Sequence, residues 1–430
     1  MRAFALASWP EPSGLQEFPR EIFELADSLE ILDLSNNSLT TLPDDLPRLK
    51  KLRVLFCSDN AFTELPAVLG RCPELVMIGF KANRIERIAP GALPPALRWL
   101  ILTDNRLAVL PDEIGVSTQL QKLMLAGNQL RALPPTLAQC CRLELLRLSA
   151  NRLTELPDWL GQLPRLAWLA YAGNPFCESF ESSESSPQEM PAVPWHRLSL
   201  QQTLGEGASG VIHQALMQSP TGTQAVAVKI FKGAVTSDGL PQCEMAACLY
   251  AGQHPHLIPV QGQVTGHPQG KSALVMELID PAFINLAGPP SLNSCTRDVY
   301  PAHTAFEATT ALRLALGIAG AVRHLHAQGL LHGDLYGHNI LHNGLGRALL
   351  GGFGAASFLP QQNPAQTLAL QRLEVRAFGC LLEELLVHSP VHPEPATREA
   401  LTRLINACLN EAPKERPLFS AIEQVLSDLA

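Results

Sequence analysis

Two short runs in the second half of the chain hold residues whose types and spacing could do chemistry. His332–Asn339 reads HGDLYGHN and Gly352–Gly354 reads GFG, with Gly352 thirteen residues after Asn339. Further upstream, LGEGASGV supplies Gly205, Glu206, Gly207, Ala208, Gly210 and Val211 in a G-x-G-x-x-G-x-V pattern. Glycines permit tight turns and let backbone N–H groups reach a triphosphate. The strand-like run AVAVKIF then carries Ala227 and Lys229. Glu244, in the helix-like CEMAACLYAG, is the carboxylate best placed to pair with Lys229, because Asp238 precedes a Gly-Leu-Pro turn. From Ile340 to Leu373 there is no Asp or Glu, so no local carboxylate stands near Gly352 in sequence.

This set of motifs resembles that of the protein kinases, with H-R-D-L-x-x-x-N, D-F-G, a Gly-rich loop and a V-A-I-K lysine. The resemblance covers residues 196 to 429 and implies a bilobal, Ser/Thr-type kinase domain using ATP and Mg²⁺ or Mn²⁺. It implies that Asp334 accepts the substrate hydroxyl proton, that Lys229, paired with Glu244, holds phosphates, and that Asn339 binds a metal ion. By the same likeness SALVMELID gives the adenine pocket, with Met276 as gatekeeper, Glu277 to Ile279 offering backbone groups, and Leu341 beneath the base. Three positions depart from the pattern: Gly333 replaces the arginine, Tyr336 the usual lysine and Gly352 the metal-binding aspartate. Without the arginine, the usual link to a phosphorylated activation loop is missing. Glu374, in LEVRAFGCLLEELL, stands where these domains open a helix with aspartate, which leaves about twenty residues after Gly354 for the activation segment. No A-P-E triplet is present, so Arg416 of the E-R-P element is left without the glutamate it usually meets. Two readings stay open: an active kinase, or a catalytically impaired pseudokinase acting as a nucleotide-responsive scaffold.

The first part of the chain follows a different kind of sequence. Asparagines recur at 37, 60, 83, 105, 128, 151 and 174, each within L-x-x-L-x-L-x-x-N-x-L or a close variant of it, and a Leu-Pro pair follows most of them. A fixed period of this length marks a solenoid, and the pattern is that of leucine-rich repeats. Leucines fill a core shared between coils, while each asparagine can satisfy backbone groups where the chain turns. Between the leucines, Phe56, Met77, Trp99, Met124, Arg147 and Trp168 fall on the concave face. As exposed side chains they would suit a protein partner; alternatively they pack on one another or on the second domain.

The chain therefore reads as α/β and α+β, a repeat solenoid followed by a bilobal kinase-like domain. The boundaries are 1–28 for an N-terminal cap, 29–177 for seven repeats, 178–194 for a Ser/Glu/Pro linker and 195–430 for the second domain. Within the last, 195–276 is the N-lobe, 277–280 the hinge and 281–430 the C-lobe. Residues 281 to 304 give no firm reading. Charged residues make up 17% of the sequence and the net charge is −8, which argues against nucleic acid or an anionic membrane as partner. Ten scattered cysteines without metal-ligand spacing read as thiols of a reducing compartment. Proline ends the first apolar run too soon for a signal peptide, and no stretch spans a membrane. A cytoplasmic location is the expectation.

Overall fold

A computed structural model describes residues 5–8, 14–177, 191–207, 209–220, 222–232, 235–236, 238–389 and 394–430. Its contacts fall into two compact units: Met1–Leu166 with Asn174–Phe176, and Ala167–Gly173 with Cys177–Ala430. The seventh marker strand, Trp168–Ala170, thus groups with the second unit, although the repeat pattern assigns it to the array.

In the first unit, parallel strands pair in chain order from Ala5–Ser8 through Leu29–Asp33, Val54–Phe56, Met77–Gly79, Trp99–Ile101 and Lys122–Met124 to Leu145–Arg147. Their leucines are the core: Leu32, Leu55, Leu100, Leu123 and Leu146 are all buried. After the strand, a proline held extended (Pro66, Pro111, Pro134, Pro157) starts a short 3-10 turn on the opposite side. The asparagines form the ladder their chemistry demands. Asn128 Nδ2 donates to Leu102 O at 2.8 Å and Leu125 O at 3.0 Å, and its Oδ1 accepts from Leu107 N at 3.0 Å. Each marker asparagine follows a residue in the left-handed region: Asn36, Asp59, Ala82, Asp104, Gly127, Ala150 and Gly173. Asn, Asp and Gly adopt that conformation most cheaply, which accounts for five of the seven.

The concave face corrects one expectation. Met77, Arg147 and Trp168 are buried and Phe56, Trp99 and Met124 are half-buried, so none of the six is an exposed anchor. For Phe56 and Trp99 the cause is packing along the sheet. Phe56 pairs with Gly79, and a Cβ on Gly79 would lie 2.6 Å from the Phe56 ring. Lys122 Nζ sits 3.9 Å from the Trp99 ring centroid, a cation over an aromatic face.

The second unit opens with a six-stranded sheet. Its order is Ala192–Pro194, Val260–Thr265, Ala273–Glu277, Gly222–Phe231, Gly210–Ser219 and Leu198–Glu206. Residues 192–194, read from composition as linker, instead add a strand parallel to Val260–Thr265, because Val193 enters the apolar cluster of Val226, Val228, Val264 and Val275. Residues 178–190 of that linker lie outside the described residues. The helix Pro241–Ala251 packs on this sheet through Met245, which joins Phe231 and Leu274.

The rest is mainly helical, with two small sheets. Ala308–Ala327 runs through the centre, flanked by Pro364–Val387, Pro395–Cys408 and Phe419–Leu429. Among the described residues no helix is long and apolar enough to cross a membrane. Pro364–Val387 begins ten residues earlier than Glu374, where the resemblance placed the helix start. Asn363 caps it by accepting from Gln366 N, and Pro364 takes the first helical position, where its missing N–H is harmless. The segment between Gly354 and this helix is therefore nine residues, 355–363, rather than about twenty. Residues 281–304, which composition leaves unread, are ordered by Ile284–Asn285 pairing with Ile340–His342 and by Arg297, which donates to Glu383 at 2.9 Å and Glu384 at 2.7 Å.

Candidate active site

Antiparallel pairing of Gly210–Ser219 with Gly222–Phe231 sets Ile212 opposite Lys229 and Gly210 opposite Phe231. Lys229 is thereby aimed beneath the glycine turn: a Cβ on Gly210 would lie 3.4 Å from Lys229 Cε and 2.6 Å from Ile230 O. The turn closes through Gly207 N donating to Gly210 O at 2.9 Å. Cβ atoms on Gly205 or Gly207 would meet nothing, so the backbone there is open to an approaching ligand. Lys232 Nζ pairs with the exposed Glu206. Val211 is half-buried beside the turn, and Ala208 lies outside the described residues.

Lys229 Nζ donates to Glu244 Oε1 at 2.5 Å, with both side chains largely buried. Helix Pro241–Ala251 supplies that carboxylate, as the sequence reading expects. The same helix faces the GFG run: a Cβ on Gly354 would lie 3.6 Å from Glu244 Oε2 and 3.8 Å from Asp238 Oδ2. Two carboxylates distant in sequence therefore stand near Gly354, where the sequence shows none locally. On the next strand Met276 pairs with Ala227, and Glu277 N donates to Pro259 O at 2.9 Å. Glu277 is exposed and Ile279 half-buried, while Leu341 sits across from Leu349 in a separate short hairpin.

The HGDLYGHN loop is held by side chains, several of which bond to backbone groups. Asn339 Nδ2 donates to Asp334 Oδ2 at 2.8 Å and to Asp334 O at 2.9 Å, joining the carboxylate and carboxamide five residues apart. His332 is fully buried; one ring nitrogen bonds Gly351 O at 2.8 Å, and its ring lies 5.2 Å from that of Phe353. Glu374 reaches under the loop and accepts from Gly333 N at 2.7 Å and His332 N at 3.3 Å, with His326 Nε2 at 2.8 Å. Burial pushes the Glu374 carboxyl up, but the His326 bond, the two histidines and the Gly333 N–H hold it below its ordinary range. Asp298, from the 281–304 segment, accepts from His338 N at 3.0 Å and contacts His338 Nδ1 at 2.7 Å. No pattern in the sequence pointed to that contact.

The three departures have physical settings. Gly352 has φ 74° and ψ 48°, and a Cβ there would lie 2.6 Å from Asn339 Cγ and Oδ1. Gly333 has φ 73°, and its Cβ would lie 2.5 Å from Leu169 O and 2.6 Å from Ala355 O. Tyr336 is buried and stacks on Trp168, centroids 4.3 Å apart and planes 7° apart. Arg416 is buried too, donating to Asn410 O at 2.9 Å and Arg372 O at 3.1 Å. Burial, with nearby Arg376, lowers its guanidinium to about 9.

The arrangement fits a nucleotide: an open glycine turn over a buried lysine, beside the end of the strand Ala273–Glu277. It fits a metal ion less well. Asn339 offers one ligand, Gly352 offers none, and among the described residues no cluster of three or more His, Cys, Asp or Glu could hold one.

Comparisons with known proteins find two families along the chain. Residues 198–377 match the family model of protein tyrosine and serine/threonine kinases. Residues 95–153 and 118–176 match one leucine-rich repeat model, and residues 27–68 match another built of two repeat copies. The chain is 31% identical over 153 residues to the serine/threonine/tyrosine-protein kinase HT1 of Arabidopsis thaliana, covering 27% of this chain and 39% of that protein. It is 22% identical to cyclin-dependent kinase 11B of Rattus norvegicus, covering 59% of this chain and 60% of the relative. The chain thus spans less than two thirds of either protein. A solved leucine-rich-repeat protein, LIC12759 of Leptospira interrogans, matches 37% of this chain and 41% of its own at 33% identity, with a TM-score of 0.36. From Leu198 to Ala377 the chain is a domain of the protein tyrosine and serine/threonine kinase family, and leucine-rich repeats precede it.

Proposed function

We propose that the chain is an ATP-dependent protein kinase of the Ser/Thr type whose repeats recognise a protein partner or substrate. The observation that carries this reading is the buried Lys229–Glu244 pair at 2.5 Å, in the same unit as the Asp334–Asn339 pair. A scaffold without chemistry has no need for both. Lys229 would hold the nucleotide phosphates, with Glu244 fixing its ammonium. Asp334 would orient and deprotonate the acceptor hydroxyl, its carboxylate held by Asn339 Nδ2. Bound metal would neutralise charge on the phosphates. With Gly352 in place of its main ligand, transfer is expected on the order of a hundredfold slower or worse, since each ~1.4 kcal/mol of lost stabilisation is tenfold in rate. On the repeat face, the half-buried Phe56, Trp99 and Met124 support a partner-binding strip; the buried Met77, Arg147 and Trp168 do not. The ten unbridged cysteines support a reducing, cytoplasmic compartment.

Label transfer from ATP, to the chain itself and to a generic protein substrate with Mg²⁺ or Mn²⁺, tests the reading. Incorporation by this chain that disappears in Asp334→Ala supports an active kinase. Incorporation only in Gly352→Asp shows a kinase disabled at one residue. Silence in both sinks the catalytic proposal and leaves the pseudokinase scaffold.

A further inference from the structure

The 355–363 segment lies against the loop of Asp334, Ser357–Phe358 pairing with Leu330–Leu331, and Gly333 leaves without a side chain the position of the arginine that the kinase pattern would use to tie the two. Within the same unit, Ala167–Gly173 occupies that position. Trp168 Nε1 donates to Leu335 O at 3.0 Å, next to Asp334, while its ring stacks on Tyr336. Tyr171 N donates to Ser357 Oγ at 3.0 Å and Tyr171 OH to Phe358 O at 2.9 Å, both in the short segment after Gly354. Phe358 packs edge-on against Tyr250, centroids 4.7 Å apart, and Tyr250 belongs to the helix that carries Glu244. Leu169 O lies where a side chain at position 333 would emerge. Trp168 and Tyr171 are both buried, so these contacts are shielded from water.

We propose that Ala167–Gly173 is a built-in brace. It holds the loop of Asp334, the segment after Gly354 and, through Phe358 and Tyr250, the Glu244 helix in one arrangement. Trp168 and Tyr171 are its positioning residues. The site is then set without phosphorylation of an activation loop.

Hydrogen–deuterium exchange on the full chain tests the brace, comparing Trp168→Ala, Trp168→Phe and Tyr171→Phe with the unaltered chain. Amides of 333–337 in the Trp168 variants and of 355–359 in Tyr171→Phe are expected to exchange about tenfold faster, the scale of one lost buried hydrogen bond. Amides of Phe419–Leu429 should be unchanged. Unchanged exchange at 333–337 and 355–359 in folded variants overturns the proposal, as does faster exchange everywhere in the two phenylalanine variants. This readout needs no phosphotransfer, so it stands apart from the kinase reading. In whichever background transfers phosphate, this chain or Gly352→Asp, Tyr171→Phe should lower kcat. An unchanged kcat in that background would also overturn the brace.

Discussion

Gly333→Ala isolates the close approach at the Asp334 loop. Two penalties are expected. A residue other than glycine at φ 73° costs about 1 kcal/mol. The new Cβ would also stand 2.5 Å from Leu169 O and 2.6 Å from Ala355 O, both backbone atoms that cannot rotate aside. Overpacking of this kind costs about 1–3 kcal/mol, giving roughly 2–4 kcal/mol in all. Gly344 provides the matched control, since it has the same φ of 73° but nothing within 4 Å of its Cβ. Gly344→Ala should therefore show the conformational cost alone, about 1 kcal/mol. In calorimetry, with the second unit's transition identified by its exchange protection, Gly344→Ala should lower Tm by roughly 3 °C and Gly333→Ala by roughly 6–12 °C. Equal shifts for the two would refute the contact between Leu169 and the loop.

Three further outcomes are expected. Lys229→Met should destabilise the second unit by about 3–5 kcal/mol by stranding the buried Glu244 carboxylate, whereas Lys229→Met with Glu244→Leu should recover most of that in urea titration. Asn128→Ala removes partners from the buried Leu102 and Leu125 carbonyls and the Leu107 N–H, and should lower the stability of the repeat unit by about 2–5 kcal/mol by the same titration. For pH, burial lowers His254 and His342, and for His254 the neighbouring His324 and His256 add to it; Glu374 is also held low. In each case the unfolded chain binds protons more readily. The histidine contribution is full above about pH 6.5 and falls away below it, and that of Glu374 follows as pH drops through its folded value. Tm should be level from pH 8 to 7 and decline below about 6.5; a rise between 6.5 and 5.5 would contradict the burial of these rings.

Much of this was legible because it rests on periodicity or fixed spacing. The marker asparagines had to recur wherever a coil turns, and Lys229 had to follow the glycine run on the next strand. What could not be read depends on where distant segments meet. The six concave positions were identified by register, but their exposure depends on neighbours such as Gly79 and Lys122. The helix at Pro364 starts early because Asn363 and Pro364 cap it, a local signal that the kinase resemblance overrode. The contacts of Trp168 and Tyr171 join residues more than 160 positions apart, and no spacing rule reaches that far.

The backbone at Leu169 and the glycine at 333 amount to one inherited character rather than two. A chain with an arginine at 333 must reroute Ala167–Gly173, and one that keeps this route is confined to glycine. The two positions should therefore change together, in a single evolutionary step, among descendants of this architecture. A sequence combining the arginine with the Trp-Leu-Ala-Tyr run of residues 168–171 would have to fold that run along another path.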